Sequence, residues 1–126
     1  MAEALFNKKA KDAGICAKAS SAGLFADGSP LSYGAREALL DFGIQDFEHI
    51  SVQLSEEMLG EYDYIVGISA RHASSVAEKY PEYSDRIFAF PTDIPDPFGM
   101  STEVYKETLL EIESGIDVIL SRVFGK

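Results

Sequence analysis

The chain has 126 residues, is 46% hydrophobic, and sets 21 acidic against 11 basic residues for a net charge of −10. That field works against general binding to nucleic acid or to an anionic membrane, so an anionic ligand would need a local cluster of backbone N–H groups and Arg. No apolar run approaches a membrane span, the N-terminus lacks a basic-then-apolar leader, and the single cysteine, Cys16, excludes an internal disulfide and suits a reducing, cytoplasmic setting.

One Cys and two His without close spacing give no metal signal. With no linker-like composition, residues 1–126 read as a single domain. Residues 2–13 place Ala2, Leu5, Phe6, Ala10 and Ala13 at helical spacing, with Lys8, Lys9 and Lys11 late, where cations suit the helix dipole, and Gly14 as the stop. Residues 15–21 read as a short strand of small side chains that buries Cys16, closing with Ser21-Ala22-Gly23. A loop over 24–31 holds Gly28 and Pro30. Ser32 then caps a helix through Phe42, which Gly43 ends.

Residues 44–52 are short and irregular, and Ser55 caps a small helix that carries Glu56 and Glu57 in its first turn and ends near Gly60. Residues 62–68, Tyr-Asp-Tyr-Ile-Val-Gly-Ile, form the clearest strand, patterned for burial. Ser69 caps a helix to about Lys79, which Pro81 prevents from continuing. Residues 86–90 make a further apolar strand. From Ser101 onward, Tyr105, Leu109, Ile112, Ile116, Ile119 and Val123 recur at steps of three and four, the signature of a long amphipathic helix.

Strands alternating with helices predict an α/β fold with a parallel sheet covered on both faces. Only three strands are visible, and the first helix has none in front of it. A right-handed β-α-β crossover needs that strand, so one is expected ahead of Met1.

Between the last strand and the last helix lies Phe-Pro-Thr-Asp-Ile-Pro-Asp-Pro-Phe-Gly-Met at 90–100. Pro91, Pro95 and Pro97 fix their own φ angles and hold Phe90, Ile94 and Asp96 out of α geometry, giving a stiff loop. By itself the stretch reads as an Asp-Pro turn into a helix. Connections at the carboxyl ends of strands also carry ligand chemistry in α/β proteins, which makes Asp96 a candidate site residue.

Five stretches, in unbroken order from residue 1 to about 120, resemble the low-molecular-weight protein phosphatases, tyrosine-specific and arginine-specific. Met-Ala-Glu-Ala-Leu-Phe at 1–6 resembles the family's first helix, and Ser21-Ala22-Gly23 the turn after its second strand. His49 ahead of Gln53-Leu54 resembles its His-x-x-x-x-Leu region. Tyr62-Asp63-Tyr64-Ile65-Val66 resembles its third strand, and Asp96-Pro97-Phe98-Gly99 its general-acid loop.

The resemblance implies a three-layer α/β sandwich with a parallel sheet in the order 2-1-3-4, of which the central first strand is not in this chain. It implies Asp96 as the general acid, Ser21 and His49 as braces for the phosphate loop, and Phe98, with Phe25 or Tyr33, as walls of the substrate cleft. Ser69 falls where many members have Asp. Read without the resemblance, Ser21 is turn chemistry, His49 a satisfied histidine, and the three aromatics core or surface residues.

The family's mechanism uses a cysteine and an arginine six positions on, in a C-x5-R loop followed by Ser-Pro. Six on from Cys16 is Ala22, and no Ser-Pro follows, so the nucleophile loop is absent from these residues. The expectation is a phosphatase-family chain, acting on a phosphoprotein or small phosphomonoester when complete, without cofactor or metal. As written it is expected to be inactive; the alternative is a pseudophosphatase that binds a partner. Phosphotyrosine and phosphoarginine are not distinguished, nor is an oligomeric state.

Overall fold

The computed structural model describes residues 1–23, 28, 31–45, 47 and 49–125. Five α-helices, α1 (Ala2–Asp12), α2 (Tyr33–Leu40), α3 (Glu56–Glu61), α4 (Ala70–Lys79) and α5 (Thr102–Phe124), alternate with strands β1 (Ile65–Gly67) and β2 (Ile87–Ala89), and a 3₁₀ helix spans Pro81–Arg86. The fold is α/β with parallel pairing: Ile65 lies opposite Ile87, Val66 opposite Phe88 and Gly67 opposite Ala89. Two compact units result, Met1–Gln53 with Asp96–Lys126, and Leu54–Pro95.

The first unit is organised on α5. Its buried face is Tyr105, Leu109, Ile112, Ile116 and Ile119, the expected stripe, joined by Thr108 and Leu120, while Val123 stays half-buried. At about 1.5–3 kcal/mol for each large apolar side chain, this face is the unit's main source of stability. Helices α1 and α2 pack on it, α1 through Ala4, Leu5 and Ala10 and α2 through Ala35, Ala38 and Leu39. Ala13, expected on the buried face of α1, is exposed, because the helix has ended at Asp12.

Lys9 ties α1 to α5, its Nζ lying 2.9 Å from Asp117 Oδ1 and 3.3 Å from Glu113 Oε2. The hydrogen bond to Asp117, aided by the charges of Asp117 and Glu113, outweighs desolvation and raises the ammonium above its ordinary value of 10.5. A raised lysine contributes stability that is fully present below the ordinary value and is lost as pH climbs through the higher folded-state value. Because the partners are partly solvated, Lys9→Gln is expected to cost no more than about 1 kcal/mol. Urea unfolding should show that cost constant from about pH 7 to about pH 10 and shrinking only in more alkaline buffer. A cost that vanished below pH 10 would contradict this assignment.

The second unit is the β1–β2 pair with α4 on one face. Ser69 caps α4 by accepting from His72 N, as its position predicts, and Asp93 Oδ1 accepts from Ala70 N at 2.8 Å as a second cap. Ser55 does not cap α3 through its side chain. The ladder continues irregularly past both strands, with Phe90 N donating to Gly67 O at 2.7 Å and Ile94 N to Ile68 O at 3.3 Å.

Three expectations about strands need correction. Residues 15–21 are not a regular strand; among the described residues the nearest bridge is Gly23 to Gln53. Instead the carboxamide of Asn7 on α1 takes both main-chain groups of Ala19, accepting from its N–H at 2.7 Å and donating to its carbonyl at 3.1 Å. Cys16 is consequently exposed rather than a buried strand residue, since Ile15, Ala17 and Ala19 take the inward positions. The strand expected over 62–68 contracts to Ile65–Gly67 and is not buried throughout: Tyr64 and Val66 are 55% and 40% exposed, because α4 covers only the face opposite them. Arg86 belongs to the 3₁₀ helix, its guanidinium over the Tyr83 ring and donating to Tyr62 O at 3.1 Å.

Candidate active site

Asp96 stands at the start of the second segment of the α5 unit, and its loop is built from its own backbone. The Asp96 carboxylate accepts from Phe98 N at 3.0 Å, and Met100 N donates to Pro97 O at 2.9 Å. Gly99 takes φ 79°, a left-handed turn that a β-substituted residue adopts only with strain. Ser101 then caps α5 by accepting from Val104 N. The prolines and this short hydrogen-bond chain hold an exposed carboxylate directly ahead of a helix N-terminus.

Ser21 and His49 come together at Glu3, a residue without a distinguishing local signal. Ser21 Oγ donates to Glu3 Oε1 at 2.8 Å and lies 3.4 Å from His49 Nε2, while His49 Nδ1 is 3.9 Å from the same Glu3 oxygen. Phe47 stacks on the imidazole, the ring centroids 6.0 Å apart and the planes 11° from parallel. The backbone reinforces the arrangement: Gly23 N donates to Val52 O at 2.8 Å, and Leu31 N to His49 O at 3.0 Å. Glu3 sits in the first turn of α1, where its negative charge suits the helix dipole.

Tyr33 opens α2 immediately after its cap Ser32 and is 72% exposed; Phe98 is 80% exposed. Neither is a core aromatic. Phe25 lies outside the described residues. Among those residues the Asp96 carboxylate bonds only within its own turn, so Ser21 with His49, and Asp96 with Phe98, are two separate clusters in the hydrogen-bond pattern.

The sequence profile of the low molecular weight phosphotyrosine protein phosphatases matches residues 1–125. The chain belongs to that family. It is similar to the protein-arginine-phosphatase of Bacillus subtilis, 33% identical over 121 residues that cover 90% of this chain and 80% of that protein. It is also similar to the crystal structure of a low molecular weight protein tyrosine phosphatase from T. tengcongensis, at 38% identity and a TM-score of 0.90 over 97% of this chain and 88% of that one. A third likeness, at 30% identity and a TM-score of 0.86 over 97% of this chain and 87% of the other, is to a Cys-to-Ser variant of the arginine phosphatase YwlE whose active-site serine is phosphorylated. The family's parallel α/β fold is therefore that of this chain.

Proposed function

We propose that these residues form the acid-bearing body of a protein phosphatase, and that residues 1–126 alone do not turn over substrate. The reading is carried by the Asp96 carboxylate, exposed and fixed by the Phe98 N–H in the Asp-Pro-Phe-Gly turn. In phosphomonoester hydrolysis through a covalent intermediate, a thiolate attacks phosphorus and the leaving group departs with a proton from the acid; the resulting carboxylate then activates water. Asp96 takes that acid-then-base role. Ser21 and His49 brace the phosphate-binding loop, and Phe98, with Tyr33, flanks the substrate side chain.

A phosphorylated serine in place of cysteine in YwlE supports the covalent route for the family. The thiolate and the loop arginine have no counterpart here, since Cys16 lacks an Arg six positions on. Phosphotyrosine and phosphoarginine both need a protonated leaving atom, so Asp96 serves either. A cytoplasmic setting suits the one exposed thiol.

The expected result for the purified chain is no turnover of an aryl phosphate above buffer. A rate that Asp96→Asn abolished would overturn the inactivity of residues 1–126 alone, and a rate indifferent to that change would mark a contaminant or another site. The exposure of Phe98 and Tyr33 favours a second reading, a partner-binding pseudophosphatase. It requires a partner whose affinity falls on Phe98→Ala.

A further inference from the structure

We propose that Asp93 is the positioning residue of the acid loop: by capping α4 it fixes the point from which the chain runs on to Asp96. This deepens the proposed function and rests on the reading of Asp96 as the acid. The first turn of a helix carries N–H groups that find no partner inside the helix. Ser69 Oγ takes one of them, that of His72, and also lies 3.1 Å from His72 Nδ1. Ala70 N is served from 23 positions farther along the chain, by Asp93 Oδ1 at 2.8 Å. A carboxylate suits that place doubly, since it is also drawn to the positive end of the helix dipole.

What Asp93 holds is the start of the loop. On either side of it Phe90 and Ile94 are buried, while Asp93 itself is exposed. Phe90 N donates to Gly67 O at 2.7 Å and Ile94 N to Ile68 O at 3.3 Å, so residues 90–94 are fastened past the end of β1 and onto the first turn of α4. Ile94 makes the long bond of this set, and the shorter one from Asp93 lies directly before it. Beyond Ile94 little rotation is left. Pro95 has a fixed φ, and Ile94 and Asp96 each precede a proline, which keeps both out of α geometry. The Asp96 carboxylate is then engaged by Phe98 N at 3.0 Å. Restraint applied at Asp93 is carried along the main chain to Asp96, so one carboxylate with no part in the chemistry determines how firmly another is held.

The test is backbone nitrogen NMR relaxation of the full chain, read as order parameters on the ps–ns timescale. In the wild type Asp93, Asp96 and Phe98 should match α4 at about 0.85, and a coupling through the hydrogen bond should join Ala70 N to the Asp93 carboxyl carbon. In Asp93→Ala the values at Asp96 and Phe98 should fall to about 0.6 or lower. Asp93→Asn keeps the acceptor oxygen and should restore them. Ser69→Ala removes the other cap of the same helix, one whose side-chain bonds stay with His72. It should loosen the first turn of α4 and leave Asp96 as in the wild type. Unchanged values in Asp93→Ala, an Asn variant as loose as the Ala variant, or equal loosening of Asp96 by Ser69→Ala would overturn the proposal. Should Asp93→Ala not fold, the wild type decides, a missing coupling or a loose Asp96 overturning it. Motion is read and not turnover, so a failure of Asp96 as the acid leaves these values intact and is a separate result.

Discussion

Preceded by a fused segment that supplies an apolar strand and a C-x5-R loop, the chain is expected to hydrolyse aryl phosphates, and Asp96→Asn to lower kcat by about 10²- to 10⁴-fold. Asparagine keeps an oxygen for the Phe98 N–H, so the turn that Asp96 builds at 3.0 Å survives the change. What disappears is the proton. The deficit in kcat/KM, which reports leaving-group departure and not the later hydrolysis of the intermediate, should accordingly depend on the leaving group: small for a nitrophenol, which departs as a stable anion, and large for unsubstituted phenol. A guanidine leaving nitrogen needs protonation still more. Steady-state kinetics with the two aryl esters checks this, and equal deficits for both would remove Asp96 from the acid role.

Gly67→Ala is expected to destabilise the protein by about 3 kcal/mol or more, at or above the upper end of ordinary overpacking. A β-carbon at Gly67 would stand 2.4 Å from Ala73 N, 2.8 Å from its Cα and 2.9 Å from its Cβ. These are atoms of α4 where it crosses β1, and main chain cannot swing aside as the tip of a side chain can. For a domain of this size, that penalty corresponds to a fall in Tm of roughly 10 °C. Gly34 makes the comparison. A β-carbon there would stand 2.4 Å from the Tyr105 ring, and the obstacle is a side chain, so Tyr105→Leu should rescue Gly34→Ala while no single truncation rescues Gly67→Ala. A Tm for Gly67→Ala within a degree or two of wild type would show that α4 and β1 are not packed this closely.

The helices were legible because their signals are local. Ser101, the recurrence from Tyr105 to Ile119, and Ser69 each act within a turn or two of themselves, and the structure keeps all of them. Pro81 shows the limit of that logic. It stops α4, but the same fixed φ suits a first helical position, and it opens the 3₁₀ helix. Strands fared worse because an apolar run does not choose its ladder partner: residues 15–21 and 62–68 carry the composition, yet the pairing they find sets their length.

The same division runs through the site. Asp96 could be located from three prolines and its place ahead of a helix, all within a few residues. Glu3 could not, since its partners are 18 residues away at Ser21 and farther still at His49, and a glutamate in a first helical turn has a sufficient local explanation in the dipole. Only the tertiary arrangement turns that ordinary residue into the acceptor on which two others depend.

The carboxamide of Asn7 has a consequence for how the chain comes apart. A strand is normally steadied by its neighbour along many residues, so its loss is gradual, one rung after another. Here a single side chain on α1 holds both polar groups of Ala19, and that hold exists only while the helix keeps Asn7 in place. Fraying of α1 as far as its second turn and release of the following stretch are then one event, a cooperativity transmitted by two hydrogen bonds rather than by a shared apolar core.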